Sequence, residues 1–252
     1  MNKNTGFLLV KSEQLPWAIS KNDAYEPNEL LWLISILCQA NHQWKCHAPI
    51  SCLLQLNGIS NTTANRKEAA ASINTLLLRK KQSDQQSLNS DVPVNYEAPN
   101  EMLNIEAHLN WSQTDKRHIR IEFEEFYALQ KIAIQERKDI LALLLLLLLI
   151  KSASINYMVP NCAHKMAGCW LAQQVFAEQS GLSAKTVGVY LDLMEQYGII
   201  SSLSGKYLRL ANVYSMAKDK AVLPIVMEAQ RERFKDIAPQ PKRICMSQRG
   251  IC

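Results

Sequence analysis

Two glycines, Gly181 and Gly198, bracket a segment whose apolar residues recur with helical spacing, and this arrangement limits what the chain can fold into. Val187, Leu191 and Met194 lie four and three residues apart, which is typical of one buried stripe on a helix. Glycine readily adopts the left-handed backbone conformation in which helices commonly end. The spacing therefore predicts a short helix, a glycine turn and a second helix that ends at the second glycine.

The residues around the first of these glycines fit a compact corner. Ser183 carries a hydroxyl that can accept a hydrogen bond from a backbone N–H, so we expect it to be the N-cap of the second helix. Val175, Phe176 and Ala177 are predicted to face inward near the turn. Because Ala177 is small, the second helix can cross close over the first one.

Two β-rich segments follow the second helix, at residues 199–201 and 207–210, with residues 203–206 as their connection. This order of two helices, a glycine corner and two strands resembles the winged helix-turn-helix family of DNA-binding domains, in which the connection between the strands is the wing. The resemblance covers residues 171–210. It depends on core residues that are spaced as in that family, namely Phe176, Ala177, Gly181, Leu182, Val187 and Tyr190.

In that family the second helix enters the major groove of DNA, and the wing contacts the backbone or the minor groove. The resemblance implies, by position, that the DNA-binding residues are Ser183, Lys185, Thr186, Gly188 and Val189 on the helix and Ser204, Lys206 and Arg209 on the wing. The helix face carries one cation, Lys185, and few side chains that read bases. A winged helix that binds a protein therefore stays open as the alternative.

The basic charge of the chain is concentrated at and after this helix. The sequence holds 28 Lys and Arg against 23 Asp and Glu, a net charge of +5. Residues 1–182 contain 17 of each kind, whereas residues 183–252 contain 11 basic and 6 acidic side chains. Clustered cations gain from counterion release on a polyanion, so this distribution favours a DNA partner. A solvated basic surface is the alternative.

Residues 140–150 form an unbroken apolar run. A membrane-spanning helix needs about 20 apolar residues, so this shorter run predicts a helix buried on all sides and no membrane partner.

The seven cysteines are odd in number and irregularly spaced, and the N-terminus lacks a signal-peptide pattern. Both features predict a reducing, cytoplasmic location.

The N-terminal part predicts a second, looser unit of the same kind. We expect three helices, at residues 28–40, 50–56 and 62–80, and between the last two a glycine turn with a cap, at residues 57–60. Leu54 stands where the other unit has the smaller Ala177. Lys67 stands where the other unit has the apolar Tyr190, so either the turn is longer or the third helix begins later.

The third helix of this unit has a more polar outer face than its counterpart. The residues that we expect to face DNA are Asn61, Thr62, Thr63, Asn65, Arg66 and Lys67. Asn and Arg side chains can make bidentate hydrogen bonds to base edges. Arg79 and the two lysines that follow it are expected either to meet phosphate or to favour the C-terminus of the helix.

The middle of the chain predicts a linker and a hairpin. Residues 82–100 are polar and contain two prolines, which is typical of a mobile linker. Alternating apolar residues at 105–111 and 119–123 predict the two strands of one β-hairpin. Lys116 and Arg117 lie in its connection and would contact DNA if the hairpin is a long wing; a plain hairpin over a core is the alternative.

Downstream we expect a helix over residues 126–150 with a break near 135–137, a loop over 152–168, and a helix over 221–237 before a basic tail.

Sequence motifs for catalysis are absent. The chain has no phosphate loop, no GxSxG, no HExxH and no paired-carboxylate signature, which predicts that the protein is not an enzyme and needs no cofactor. One group of side chains raises the question of a metal, namely Cys38, His42, Cys46, His47 and Cys52. This group lacks the paired CxxC spacing of a structural zinc site, and a free cysteine in an apolar helix usually belongs to the core, so no metal is predicted.

Together these predictions describe a mainly α protein with small β-hairpins, made of two winged-helix-like units joined by a hairpin and a bridging helix. The predicted domains are an N-terminal winged-helix-like unit at residues 1–82, the linker and hairpin at 83–125, a C-terminal winged helix-turn-helix unit at 126–220, and a helix with a basic tail at 221–252.

Two winged helices in a chain of 252 residues, followed by a basic tail, resemble the replication initiators of bacterial plasmids and phages. The N-terminal run from Gly6 through Trp17 to residues 40–42 also resembles the opening of phage replication organiser proteins. The resemblance implies sequence-specific binding of double-stranded origin DNA and recruitment of a host helicase or primase, and it leaves a homodimer open. A transcription regulator is the first alternative, because helix-turn-helix geometry does not separate the two functions. A protein-interaction adaptor without DNA binding is the second.

Overall fold

Nine β-strands and eight α-helices make up the part of the chain that a computed structural model describes, which is residues 6–18, 24–79, 87–108 and 118–235. The strands form three antiparallel sheets. The prediction of a mainly α protein is therefore wrong, and the fold is mixed α/β. The error arose because the strands at residues 45–49, 87–89, 155–158 and 165–171 were not predicted, and those at 87–89 and 155–158 are short edge strands.

The helices and strands have the following bounds. The helices are α1 (Pro27–Gln39), α2 (Ile50–Leu56), α3 (Thr63–Leu78), α4 (Phe123–Gln135), α5 (Ile140–Ala153), α6 (Gln173–Ser180), α7 (Ala184–Gln196) and α8 (Leu223–Arg233). The strands are β1 (Phe7–Lys11), β2 (Lys45–Pro49), β3 (Ser87–Asn89), β4 (Met102–His108), β5 (His118–Glu122), β6 (Ile155–Met158), β7 (Lys165–Leu171), β8 (Ile200–Leu203) and β9 (Asn212–Met216).

The same order of elements occurs twice. The first repeat, residues 27–108, runs α1, β2, α2, α3, β3, β4, and the second repeat, residues 140–216, contains α5, β7, α6, α7, β8, β9 in that order. In both, the last strand lies between the other two, which gives the sheet orders β2-β4-β3 and β7-β9-β8. The additional strand β6 extends the second sheet beside β7. Each repeat therefore places a pair of helices between the first and second strands of its sheet.

β4 and β5, which the sequence predicts as one hairpin, lie in different sheets. β4 pairs with β2 and β3, whereas β5 pairs with β1, where Ile119 lies opposite Val10. The predicted hairpin is wrong, because apolar alternation shows which side of a strand is buried but not which strand is its partner. Lys116 and Arg117, in the predicted connection, lie outside the described residues.

The second strand after α7 begins later than predicted. Residues 207–210 belong to a compact turn that includes Arg209, whose φ of +56° is left-handed, and β9 begins only at Asn212. The carbonyl oxygen of Gly205 accepts hydrogen bonds from two amides of this turn, at 2.9 and 3.0 Å. Because these amides are bonded locally, the segment does not extend into a strand, and the prediction of a strand here is wrong.

The helices follow the apolar spacing closely. α2 covers the predicted range 50–56, and the predicted break in the bridging helix separates α4 from α5, where Arg137 has a φ of +52°. From Ala142 to Ile150 every side chain is at most 5% exposed, which confirms the helix buried on all sides. Among the helices described, none combines the length and apolarity needed to cross a membrane.

One hydrophobic core is shared by the two repeats. Its members run from Leu8 in β1 to Met216 in β9, and α5 packs against α1, α4 and α6 inside it. A smaller cluster lies where α8 packs on β7 at Gly168, since a Cβ added there would stand 2.7 Å from Val226. The apolar side chains of the predicted N-terminal and C-terminal units therefore pack together.

Candidate nucleic-acid interface

The corner between α6 and α7 forms as the sequence predicts, except that Val175, which was expected to face inward, is 36% exposed. Gly181 ends α6 with a left-handed φ of +70°, and the Ser183 hydroxyl caps α7 by accepting a hydrogen bond from the Thr186 amide at 3.2 Å. Phe176 is buried, and its ring meets Tyr214 edge to face with ring centres 5.4 Å apart. Apart from Gly181 and its two chain neighbours, no described residue has a heavy atom within 4 Å of the position of an added Cβ on Gly181, so the corner faces solvent.

α7 buries one side and exposes the other. Val187, Leu191 and Met194 form the buried stripe, which confirms the periodicity. Tyr190 joins them, and its hydroxyl accepts a hydrogen bond from the Asp139 amide at 3.1 Å, which ties α7 to the start of α5. The exposed side presents Ala184, Lys185, Val189 and Asp192.

Glu195 fixes the next strand relative to α7. One carboxylate oxygen of Glu195 accepts a hydrogen bond from the Ser202 amide at 3.1 Å, and the other accepts one from the Ser202 hydroxyl at 2.8 Å. Hydrogen bonds to a carboxylate are shorter and stronger than those between neutral groups. β8 and the connection after it are therefore held in a defined position beside the helix.

The connection between β8 and β9 ends in a compact loop at residues 204–211, which we call the tip. The Gly205 amide donates a hydrogen bond to the Asn212 side chain at 3.2 Å, while the Gly205 carbonyl holds two amides of the tip. A Cβ on Gly205 would lie 2.6 Å from the carbonyl oxygen of Leu210, so only glycine fits there. The tip is thus fixed by its own backbone.

Three cations of the predicted interface are exposed on these elements. Lys185 lies on α7, and Lys206 and Arg209 lie on the tip. None of the three forms an ion pair within the described part of the chain, and the same is true of other exposed cations such as Lys67, Lys165 and Lys220. Their charge is therefore free to act on a partner.

The other predicted residues of the second repeat have mixed roles. The hydroxyls of Ser183 and Thr186 lie 2.8 Å apart and serve the helix cap. The Ser204 hydroxyl accepts a hydrogen bond from an amide of the tip at 3.3 Å. Gly188 is half-buried, and Val189 is 44% exposed.

Two apolar side chains at the tip were missed by sequence reasoning. Tyr207 is 95% exposed and Leu208 is 47% exposed, whereas the sequence predicts both within a strand. No sequence signal marked them, because charged residues next to apolar ones are also common along a half-buried strand.

The corner between α2 and α3 is built differently. Gly58 has a left-handed φ of +68°, but here Ala133 of α4 packs against the glycine. The N-cap of α3 is Thr62, whose hydroxyl accepts a hydrogen bond from the Asn65 amide at 3.2 Å. The prediction that the turn ends at Ser60 and that Ser60 caps the next helix is therefore wrong.

The longer turn shifts the register of α3. Four positions separate Gly58 from its cap, whereas two separate the corresponding glycine and cap of the second repeat. The buried Ala69 therefore occupies the place that Tyr190 occupies in α7, and Lys67 is exposed. This resolves the mismatch at Lys67 in favour of a longer turn.

Only part of the predicted outer face of α3 is available to a partner. Asn65 is half-buried and donates a hydrogen bond to the Ser60 carbonyl at 2.8 Å. Arg66 is also half-buried, and its Nη2 donates to the Thr63 hydroxyl at 3.0 Å. The exposed members of the predicted set are Asn61, Thr62, Thr63 and Lys67.

Arg79 is bound within the fold and does not point to a phosphate. Its guanidinium forms an ion pair with the buried Glu29 carboxylate and donates to the Ala24 carbonyl at 3.0 Å. The same group lies over the Tyr25 ring, 4.7 Å from its centre. Arg79 therefore joins the end of α3 to the start of α1, and of its two predicted roles the phosphate contact does not fit this arrangement.

The strand connections of the two repeats carry opposite charge. Residues 90–101, between β3 and β4, contain three acidic and no basic side chains. Residues 204–211, the tip, contain two basic and no acidic side chains. A polyanion is therefore attracted to the connection of the second repeat and repelled by that of the first.

The cysteines and histidines of the first repeat do not converge on one point. Cys38 and Cys46 are buried, and burial raises the pKa of the Cys46 thiol to about 12. His42 is exposed, and Nδ1 of His47 lies 2.8 Å from the side-chain oxygen of Asn104. Within the described ranges no three His, Cys, Asp or Glu side chains are grouped so that they could hold a metal ion.

Comparison with known proteins gives no further assignment. No protein-family model matches the sequence, and no curated protein and no solved structure matches the chain. The functional argument is therefore based on the geometry and charge of the chain itself.

Proposed function

We propose that the protein binds double-stranded DNA through its second repeat, with the N-terminal half of α7 in the major groove and the tip against the neighbouring backbone. The observation that carries the proposal is the exposure of Lys185, Lys206 and Arg209 without ion pairs among the described residues. Cations that are not neutralised by the protein can replace the counterions of the phosphates, which favours binding.

Two further features support the second repeat as the part that binds. The corner at Gly181 is open to solvent, whereas α4 packs on the corresponding Gly58. The hydrogen bonds from Ser202 to Glu195 hold the tip beside α7, so both elements could meet one duplex together. A binding surface held in place before association loses less conformational entropy on binding.

The exposed face of α7 indicates how DNA would be read. Ala184, Gly188 and Val189 are small or apolar, so they can contact thymine methyl groups and follow the shape of the groove. Asp192 lies further along the helix and would be repelled by phosphate. We therefore expect the first two turns of α7 to approach the bases.

The resemblance to plasmid and phage initiators supports origin DNA as the target and a host helicase or primase as a partner. A transcription regulator remains the alternative use of the same interface. Loss of plasmid or phage replication on deletion of the gene, without changed expression of its neighbours, would favour initiation. Changed expression of neighbouring genes alone would favour regulation.

DNA binding is tested by a fluorescence-anisotropy titration of a labelled mixed-sequence duplex about 30 base pairs long, or roughly three helical turns. The titration is repeated at several salt concentrations. Each phosphate contact contributes about −0.9 to the slope of log K against log salt. We expect the variant Lys185→Glu/Lys206→Glu to reduce that slope by about 2 and the affinity by about tenfold or more.

The variant Lys165→Glu/Lys220→Glu is the matched control, because it changes the net charge equally. Leu171 and Asn212 pair at the end of the sheet nearest the tip, whereas Lys165 starts β7 at the opposite end and Lys220 follows the far end of β9. The control is expected to keep the salt slope of the original chain. Equal losses in both variants would contradict the proposed interface.

Lys67→Glu tests the first repeat in the same titration. If this variant abolishes binding while Lys185→Glu/Lys206→Glu binds normally, the first repeat is the main DNA-binding unit. An interaction adaptor is the second candidate function, and the exposed Tyr207 and Leu208 favour it. If no duplex binds the folded protein at low salt, only the adaptor remains.

A further inference from the structure

The tip presents two adjacent apolar side chains to solvent. Tyr207 is 95% exposed and Leu208 is 47% exposed. Single exposed apolar residues are common on protein surfaces. Here, however, two neighbours lie at the outermost turn of a connection whose position is fixed, and neither belongs to a hydrophobic cluster of the described residues. Folding of the chain alone does not account for them.

The backbone under these side chains is rigid. Residues Lys206–Leu208 form a 3-10 turn, and Gly205 bonds to both sides of the tip through its amide and its carbonyl. Arg209 has a left-handed φ of +56°, which is uncommon for a residue other than glycine. Such a backbone is kept only where the surrounding bonds determine it, so the tip fixes the direction in which the Tyr207 side chain leaves the backbone.

Charges flank the apolar pair. Lys206 precedes Tyr207 and Arg209 follows Leu208, both exposed, and residues 203–211 contain no acidic side chain. An apolar centre between two cations matches a DNA groove, where bases lie between two rows of phosphates.

We propose that the tip is an apolar wedge that places Tyr207, supported by Leu208, against the bases of duplex DNA while Lys206 and Arg209 bind the flanking phosphates. This inference rests on the proposed DNA binding by the second repeat. Aromatic rings stack on every base, and apolar wedges inserted at a base step partly unstack it and bend the duplex. The fixed tip suits this role, because little backbone freedom is lost on insertion.

The wedge also accounts for how a helix with few base-reading side chains could select a site. Pyrimidine–purine steps such as TA and CA unstack more easily than other steps. Insertion of Tyr207 would therefore favour such a step at a fixed distance from the α7 contacts. Selection of duplexes from a random library with this protein is expected to enrich that step.

The test uses tryptophan as a reporter of stacking. Tyr207→Trp places an indole at the tip, and Val92→Trp places one in the first repeat's acidic connection, where Val92 is 65% exposed. The five native tryptophans give the same background in both variants. On addition of the mixed-sequence duplex, we expect quenching and protection from acrylamide for the tip tryptophan but not for the Val92→Trp control.

Tyr207→Ala tests the energetic role of the ring, and its high exposure means that the fold should be unaffected, as checked by circular dichroism. The expected dissociation constant for the duplex is about tenfold higher than for the original chain. The proposal requires both this loss and the quenching of Tyr207→Trp. A loss of affinity without quenching overturns it, because the ring would then touch only the backbone.

The outcomes separate the wedge from the general proposal of DNA binding. If the original chain binds the duplex, Tyr207→Ala binds equally well and Tyr207→Trp stays unquenched, the wedge is overturned and DNA binding stands. If Tyr207→Trp is quenched but Tyr207→Ala binds equally well, the ring lies near bases without contributing, and the wedge is also overturned. If no duplex binds the original chain, both proposals fall.

Discussion

Gly58 and Ala133 are in direct contact: a Cβ added to Gly58 would lie 3.1 Å from the carbonyl carbon of Ala133 and 3.2 Å from its carbonyl oxygen. α4 therefore packs on the turn between α2 and α3 so closely that an added side chain would force the backbone at Ala133 to shift by a few tenths of an ångström. The corresponding Gly181 has almost the same backbone conformation, with φ of +70° against +68°, but no described atom lies within 4 Å of an added Cβ. The two glycines therefore have the same backbone conformation, but only Gly58 is covered by another helix.

Gly58→Ala and Gly181→Ala should therefore destabilise the protein by different amounts. Both alanines must adopt the left-handed conformation, which costs about 1–2 kcal/mol. Gly58→Ala must in addition displace the backbone of α4, and such overpacking typically adds about 1–3 kcal/mol. Urea unfolding followed by circular dichroism measures the two free energies. Equal losses would show that α4 shifts freely and would contradict the tight contact.

Arg79→Leu is expected to lower stability without changing the salt dependence of DNA binding. The Arg79 guanidinium is the ion-pair partner of Glu29, whose side chain is 5% exposed. Removal of one partner leaves a buried charge uncompensated, at a cost of about 3 kcal/mol. The free energy of unfolding and the salt slope of duplex binding are measured on the same variant. Adding Glu29→Gln should restore part of the lost stability, and a reduced salt slope would instead support a phosphate contact.

Alkaline pH should destabilise the fold through its buried thiols. Burial raises the pKa of the Cys46 and Cys169 thiols from the ordinary 9.0 to about 12. Above pH 9 the unfolded chain loses these protons while the folded chain keeps them. The stability they contribute is therefore fully present below pH 9 and is lost between pH 9 and about 12, by at most about 1.4 kcal/mol per pH unit for each thiol.

Denaturant unfolding at several pH values from 8 to 10, with a reductant, measures this loss. The free energy of unfolding of Cys169→Ala is expected to fall less across that range, because the contribution of one of the two thiols is missing. Burial lowers the pKa of Lys151, so this side chain makes the fold more stable as the pH rises and opposes the effect of the thiols. Because Lys151 is present in both proteins, comparing Cys169→Ala with the unmodified protein removes its contribution. An unchanged pH dependence in Cys169→Ala would contradict a buried, neutral thiol at this position.

The sequence reasoning worked best where the controlling interactions are local. α2 and α7 were predicted because their apolar residues recur at helical spacing, and Gly181 and Ser183 act within a few residues of the turn they form. The break between α4 and α5, and the burial of α5, are likewise determined by residues close by in the sequence. These features depend on backbone geometry and on how much apolar surface one short segment carries.

The candidate interface was only partly predictable. Lys185, Lys206 and Arg209 are exposed, as the resemblance implied, although the strand predicted at residues 207–210 does not form. Asn65, Arg66 and Arg79 are instead held by hydrogen bonds or an ion pair to other residues of the chain. The exposure of Tyr207 could not be foreseen, because it depends on the local bonds around Gly205 that divert the chain from a strand.

By itself the sequence determined the helices, the corner at Gly181 and the surplus of positive charge after residue 182, because each depends on residues close together in the chain. Only the tertiary structure decided which strands pair, and it set β5 beside β1 and β4 beside β2 and β3. It also decided which of the two glycine corners stays open. The pattern of apolar and charged residues indicates which side of a segment is buried. Which strands pair, and which corner another helix covers, depends on segments far apart in the chain that meet only when it folds.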